Sequence, residues 1–286
     1  MDGRTFGNGW LFDALIGLLR HVSPKVIYVF EAVFVIPVTM MLSKGARLTY
    51  AYYNKVKGLG CWKSLMMTYH NNRLFGQTVV DKFAMYAGRE FRVAYEGQEA
   101  YEKATRQPAA VLQLSAHIGC SEILGYTYRN NKPCNVLVYG GEQPAMMKHR
   151  QSAFGNRNIK MIPVATEGSH SEDIIRAFDG GEIVCAFADR FMSANKVIIS
   201  TIHGHRVRLA KGPFSMAVNR GLTVFMANAM KENDGSYTAF FTPLNYDKTL
   251  PSKEQRQQLA DAYCKEIERL LEKYPEQWFN YSDLWI

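Results

Sequence analysis

The chain has 286 residues, of which 47% are hydrophobic and 21% are charged. This composition is typical of a folded globular protein and excludes a disordered or low-complexity chain. The net charge of +8 favours an anionic partner, such as a lipid surface or an acidic carrier protein. Nucleic acid is not expected as a partner, because the basic residues of the N-terminal quarter alternate with long apolar runs. The five cysteines lack zinc-site spacing, so we expect free thiols and no resident metal or cofactor.

Residues 1–90 are predicted to form a helical region that associates with a membrane. Residues 10–20 form an amphipathic helix candidate, and an apolar run follows at 26–42, broken by Glu31 and Pro37. This run is at the lower limit of length for spanning a bilayer, and the charge within it counts against a spanning helix. We therefore predict an interfacial or re-entrant anchor, with a buried core helix as the alternative.

From residue 91 the pattern changes to alternating strands and helices, after a long helix predicted at 62–87. This alternation predicts an α/β fold with a mostly parallel or mixed central sheet flanked by helices on both faces, in one continuous domain over residues 91–286. Residues 196–209 resemble a hairpin, and Ser252 with Gln255 predicts a capping box. The predicted strands are 91–95, 109–115, 135–139, 159–164, 182–188, 222–230 and 237–243. The predicted helices are 98–106, a segment ending near 130, 144–154, 171–178 and 252–273.

His117 follows a short apolar strand and precedes a helix that carries Glu122. If His117 lies in the turn before the helix, the chain can fold Glu122 back onto the imidazole. A carboxylate on one ring nitrogen selects the tautomer and leaves the other nitrogen as a general base. The alternative is a structural histidine at the end of a strand. Asp189 and Arg190 also follow an apolar strand, so they could face the same crevice as His117.

Four blocks resemble the lysophospholipid acyltransferase superfamily, and within it the lipid A biosynthesis (lauroyl/myristoyl) acyltransferase group. They occur in the family's order. Family members commonly carry Asn and Trp where this chain has Cys120 and Ser121, which leaves room for a branch acting on a different lipid. The blocks are residues 116–122 (AHIGCSE), 187–190 (FADR), 204–217 (GHRVRLAKGPFSMA) and 274–279 (YPEQWF).

The resemblance implies transfer of an acyl group from a thioester to a hydroxyl or amine of a lipid acceptor. It implies His117 as the general base and Glu122 as the residue that orients it. Backbone N–H groups near Gly212 are candidate donors to the oxyanion. Cys120 is interpreted as a buried filler rather than a nucleophile. Candidate substrate-binding residues are Asp189, Arg190, Arg208, Lys211, Gly212 and Pro213.

The expected donors are an acyl carrier protein or a coenzyme A thioester, and the expected location is the cytoplasmic face of a bacterial inner membrane. Two alternatives remain open at this point. One is a lipid esterase or thioesterase that uses water, and the other is a non-catalytic lipid-binding protein of the same fold. Arg190 could bind a phosphate or form a structural ion pair with Asp189.

Overall fold

A computed structural model describes residues 9–140, 150, 157–164, 170–191 and 193–286. Seven strands form the central sheet of the described chain, and two more form a separate hairpin. The sheet strands are β1 (Val93–Glu96), β2 (Val111–Ser115), β3 (Cys134–Tyr139), β4 (Ile159–Val164), β5 (Ile183–Phe187), β8 (Thr223–Lys231) and β9 (Tyr237–Pro243). The hairpin strands are β6 (Val197–Ile202) and β7 (His205–Ala210).

The sheet has the spatial order β1-β9-β8-β2-β5-β3-β4. β8 and β9 are antiparallel because a tight turn joins them, and every other neighbouring pair is parallel. Helices connect most of the parallel strands, as parallel pairing requires. The prediction of a mostly parallel sheet is confirmed, and β6 and β7 form the predicted hairpin.

The helices lie before the sheet and between its strands. Those of the N-terminal region are α1 (Gly9–His21), α2 (Pro24–Phe30), α3 (Ile36–Leu42), α4 (Lys44–Ala51) and α5 (Cys61–Tyr86), with π-helical turns at Glu31–Val35 and Tyr52–Val56. The later helices are α6 (Gln98–Thr105), α7 (Ser121–Thr127), α8 (His170–Asp179), α9 (Lys211–Asn219) and α10 (Ser252–Lys273). The helix predicted at 144–154 lies outside the described residues, apart from Arg150.

Each face of the sheet is covered by a different group of helices, as predicted. Alternate residues of β2 point to opposite faces, as the pleat requires. Leu112 and Leu114 belong to the core beneath α8, α9 and α10. Val111 belongs to the core beneath α6 and α7, which includes Tyr101 and Ile123. The second of these faces is the one on which the candidate site lies.

The segment Pro24–Leu42 forms 19 helical residues that are long and apolar enough to cross a membrane. Pro37 lacks an N–H group, and the π-helical turn directly before it accommodates the irregularity. One side of the segment packs along α5. The outer side leaves Phe30, Phe34 and Met41 more than half exposed. The alternative of a buried core helix is therefore wrong.

The capping box predicted at Ser252 does not form. Pro251 occupies the cap position, and no side chain caps the helix. Gln255 instead donates from Nε2 to the carbonyl oxygens of Lys248 and Leu250. It therefore holds the preceding loop rather than the first turn of α10.

Candidate active site

Two polar segments meet at the carboxyl edge of the sheet because their strands are neighbours. β2 and β5 pair in parallel, with Ser115 opposite Phe187. His117 follows the end of β2 by two residues, and Asp189 follows the end of β5 by the same interval. The sheet register thus brings together two side chains that are distant in sequence, as predicted from the positions of the strands.

Asp189 is the hydrogen-bonding partner of the His117 imidazole. His117 Nδ1 lies 2.7 Å from Asp189 Oδ1, and the backbone N–H of His117 donates to Asp189 Oδ2 at 2.8 Å. The Asp189 carboxylate is fully buried. Burial raises its pKa, but the charge and hydrogen bonds of His117 outweigh that effect, so the pKa lies below its ordinary value. An ionised carboxylate only accepts hydrogen bonds, so Nδ1 carries a hydrogen, and the lone pair of the neutral imidazole lies on Nε2.

The segment after α10 holds the Asp189 carboxylate from the opposite side. Asn280 Nδ2 donates to the Asp189 carbonyl oxygen at 2.6 Å and to Oδ2 at 3.2 Å. The indole N–H of Trp278 reaches the same Oδ2 at 3.4 Å. The backbone N–H of Phe279 donates to the His117 carbonyl oxygen at 2.7 Å. This segment therefore orients both members of the pair, which the sequence did not indicate.

The turn between His117 and α7 depends on Gly119. Its φ of +61° is unfavourable for residues with a side chain, and a Cβ placed there would lie 2.1 Å from the Ala229 carbonyl oxygen. Its N–H group donates to the Gln277 carbonyl oxygen at 2.9 Å. The turn is therefore packed between β8 and the C-terminal segment, with no room for another residue type.

Glu122 does not contact His117, and the prediction that these two side chains form a hydrogen-bonded pair is wrong. The turn at Gly119 starts α7 at Ser121, and Glu122 points from that helix towards α5. There it accepts a hydrogen bond from the Tyr86 hydroxyl at 2.6 Å. The carboxylate of Asp189 occupies the position beside the imidazole that the sequence assigned to Glu122.

Two cations neutralise Glu122. Arg150 donates to Oε1 at 2.8 Å, and Lys82 Nζ lies 3.6 Å from the same oxygen. Burial raises the pKa of Glu122, but the charges of Lys82 and Arg150 outweigh this effect and lower the pKa to about 2. Sequence reasoning missed Lys82, Tyr86 and Arg150. Lys82 and Tyr86 are four residues apart on a predicted helix, and that spacing places them on one face.

Arg190 lies beside the pair and lines the same cavity as His117. It donates to the Phe279 carbonyl oxygen at 3.0 Å and from Nε to Asn280 Oδ1 at 3.4 Å. Burial lowers the pKa of this guanidinium, and the neighbouring Asp189 partly offsets the effect. Its direct contacts are thus with the C-terminal segment rather than with the Asp189 side chain.

The other four predicted binding residues do not line this cavity. Arg208 donates to the Trp285 carbonyl oxygen at 3.0 Å. Lys211, Gly212 and Pro213 form the first turn of α9. Arg208 lies within β7, and the other three residues follow that strand. The four residues thus lie outside the lining of the cavity, although they belong to one of the blocks that carry the resemblance.

Cys120 is buried against the site, and burial raises the pKa of its thiol to about 12. A thiol with this pKa is protonated at neutral pH and is a poor nucleophile. The interpretation of Cys120 as a buried filler agrees with this environment.

A cavity of about 500 Å³ extends from His117 along the face of the sheet beneath α7. Ser115 and Phe187 line it at the carboxyl edge, whereas Cys134 and Ile159 line it at the amino edge. β3 spans the same interval with 6 residues, a length of roughly 17 Å. The volume of the cavity is within the range of small-molecule sites, and its elongated shape suits an extended chain.

Comparison with known proteins identifies the family. The model of the bacterial lipid A biosynthesis acyltransferase family matches residues 75–285. The chain belongs to this family. The protein is therefore an acyltransferase of lipid biosynthesis. The match covers the His117 turn, Asp189 and the C-terminal segment.

One solved structure that resembles the acyltransferase is the 1-acyl-sn-glycerophosphate (LPA) acyltransferase PlsC from Thermotoga maritima. The two chains are 12% identical with a TM-score of 0.41, and the match covers 95% of this chain and 99% of that one. A search of curated proteins found no match.

Proposed function

We propose that the acyltransferase moves a fatty acyl group from a thioester to a hydroxyl or amine of a membrane lipid, with His117 as the general base. The observation that carries this proposal is the 2.7 Å contact between His117 Nδ1 and Asp189 Oδ1 at the mouth of an elongated cavity. Among the described residues, no protein group hydrogen-bonds His117 Nε2. That nitrogen is available to the nucleophile.

In the proposed reaction, the acyl chain lies in the cavity with its thioester carbon beside His117. His117 Nε2 removes the proton of the acceptor as its oxygen or nitrogen attacks the thioester carbonyl. Asp189 keeps the imidazole in the required tautomer and stabilises the imidazolium that forms. The tetrahedral intermediate then expels the thiolate, which takes the proton from Nε2. No metal or cofactor is required for these steps.

Glu122 belongs to a separate part of the proposed site. It lines the cavity with Lys82 and Arg150, and its negative charge holds these two cations at the wall. Lys and Arg side chains at a cavity wall can donate hydrogen bonds to a phosphate of the acceptor or of the donor's pantetheine arm. Glu122 therefore positions cations rather than the base.

The proposed location is the cytoplasmic face of a bacterial inner membrane, with Pro24–Leu42 lying in the interface. One side of this segment packs on α5, and the other side exposes apolar residues, including Val26, Val33 and Leu42. Lys25, Lys44 and Arg47 stand at its ends, where anionic lipid head groups would meet them. A segment packed along a folded domain in this way suits a surface anchor better than a spanning helix.

An acyl carrier protein is the favoured donor, with a coenzyme A thioester as the alternative. Acyl carrier proteins are acidic, and the positive net charge of this chain would speed their encounter. This preference predicts that the transfer rate at low donor concentration falls steeply with ionic strength. Slower transfer from the acyl carrier protein thioester than from the coenzyme A thioester of the same acid would favour coenzyme A.

The proposal is tested with a radiolabelled acyl thioester and vesicles of bacterial total lipid. Wild-type protein is expected to produce a labelled lipid, and His117→Ala is expected to reduce the rate by about 10²–10⁴-fold. His70→Ala is a matched control, since His70 lies on α5 and does not line the cavity. Release of free fatty acid at the same rate with and without lipid would instead indicate hydrolysis. Equal lipid labelling by wild type and His117→Ala would overturn the role of His117.

A further inference from the structure

The middle of the cavity contains polar groups that a plain hydrocarbon chain would not need. Gln113 and Ser115 are on the same face of β2, so Gln113 lies about 7 Å deeper than the mouth. Its neighbours across the sheet are Cys185 on β5 and Phe225 on β8. An amide side chain in such surroundings has a free-energy cost unless its polar atoms are hydrogen-bonded.

A second amide lies next to the first. The Tyr101 hydroxyl, which is fully buried, donates to Gln113 Oε1 at 2.7 Å and lies 3.4 Å from Asn130 Oδ1. Gln113 and Asn130 both line the cavity, whereas Tyr101 stands behind them. One buried hydroxyl thus lies beside two amides at the wall of the middle of the cavity.

Neither amide is fully satisfied by the described residues. Within the part of the chain that the structure describes, the side-chain NH₂ groups of Gln113 and Asn130 donate to no protein acceptor. An unsubstituted acyl chain packed against them would exclude water and leave these donors unpaired, at a cost that a hydrogen bond would remove. A hydroxyl group is both a donor and an acceptor. It therefore satisfies these amides in either orientation.

We propose that the preferred donor carries an acyl chain with a hydroxyl group at the depth of Gln113 and Asn130, which hydrogen-bonds these two amides. This inference rests on the proposed function, because it assumes that the acyl chain occupies the cavity below His117. The reacting carbonyl stays beside His117, and the amides recognise the chain without taking part in bond formation.

The test compares thioesters of ω-hydroxy acids, from octanoyl to myristoyl and on both acyl carrier protein and coenzyme A, with the unsubstituted thioester of each length. At the length that places the hydroxyl beside the amides, wild-type kcat/KM is expected to favour the hydroxylated chain by at least about tenfold. In the double variant Gln113→Met with Asn130→Leu, the ratio is expected to fall towards one. Val136→Ala, which changes the same cavity without changing its polarity, is expected to affect both chains alike.

Binding of the free acids provides a second readout that needs no acceptor and no turnover. The ω-hydroxy acid is expected to raise the melting temperature of the wild-type protein more than its parent does. A wild-type preference for the unsubstituted chain at every length, in both assays, would overturn the inference and leave the proposed function intact. If neither thioester labels lipid, the proposed function fails, and the binding assay alone then decides whether the amides recognise a hydroxyl.

Discussion

Asn280 and Asp189 are joined by two hydrogen bonds from one amide nitrogen, one to the backbone oxygen and one to the carboxylate of Asp189. Because Asp189 in turn holds His117, Asn280 is a positioning residue for the base. A chain segment after the last helix thus controls the geometry of two loops that follow strands. This coupling leads to the first prediction.

Replacing Asn280 by Ala is expected to lower kcat about tenfold with little change in KM, because a hydrogen bond to a charged group is lost while the cavity is unchanged. The measurement is steady-state acyl transfer to vesicles at several donor concentrations. Asn233→Ala, at an exposed position in the turn between β8 and β9, is the control and should retain wild-type kcat. A rise in KM at constant kcat would show that Asn280 acts on substrate binding instead.

Gly119→Ala is expected to destabilise the fold by about 3 kcal/mol or more, because the new Cβ would overlap a backbone oxygen that cannot move away. Gly221 is a matched control, with a φ of +60° and no atom within 4 Å of the position that a Cβ would take. Gly221→Ala should cost only the roughly 1–2 kcal/mol of the left-handed conformation. Urea unfolding of both variants gives the comparison, and equal losses would show that the packing of the turn against β8 is unimportant.

Glu122 is expected to make stability depend on acid pH. Its folded pKa of about 2 lies below the ordinary value of 4.5, so its stabilising effect is complete above pH 4.5 and is lost as the pH falls towards 2. The free energy of unfolding of wild type should therefore approach that of Glu122→Gln over this interval. Parallel curves for the two proteins would contradict the ion pairs with Lys82 and Arg150.

Phe34→Asp is expected to reduce binding to anionic vesicles at least about tenfold, because an exposed aromatic ring that enters the interface is replaced by a charge. Ile199→Asp, an exposed apolar position on β6, is the control with the same change in charge. Cosedimentation with vesicles measures both. Equal effects of the two variants would show that binding depends on net charge rather than on Pro24–Leu42.

The fold was predictable from the sequence because strand and helix periods are local signals. The strands β2 and β5 were expected, and so was the crevice shared by His117 and Asp189. The pairing within that crevice was not, because H-x-x-x-x-E spacing suggests a local partner, whereas the register of β2 on β5 supplies one 72 residues away. The same register rule, applied to Asp189, would have suggested this partner.

Other features of the site depend on tertiary packing that no local pattern reveals. Asn280 follows the final helix, and nothing in its neighbourhood signals contact with Asp189. Arg208 and Lys211 share a block with Gly212 and Pro213, but none of the four lines the cavity. Gln113 lies in an apolar strand, where its polarity was visible in the sequence but its contact with Tyr101 was not.

The central claim is that Asp189, and not Glu122, supports the base. Single-turnover acyl transfer by Asp189→Asn and Glu122→Gln, measured side by side in vesicles, tests it most directly. Asp189→Asn is expected to lower the chemical rate on the order of 10³-fold, because the neutral amide that replaces the carboxylate does not stabilise the imidazolium as a negative charge does. Glu122→Gln is expected to remain at least about ten times faster than Asp189→Asn, with its loss mainly in substrate binding. A near-normal rate for Asp189→Asn together with an inactive Glu122→Gln would contradict the account.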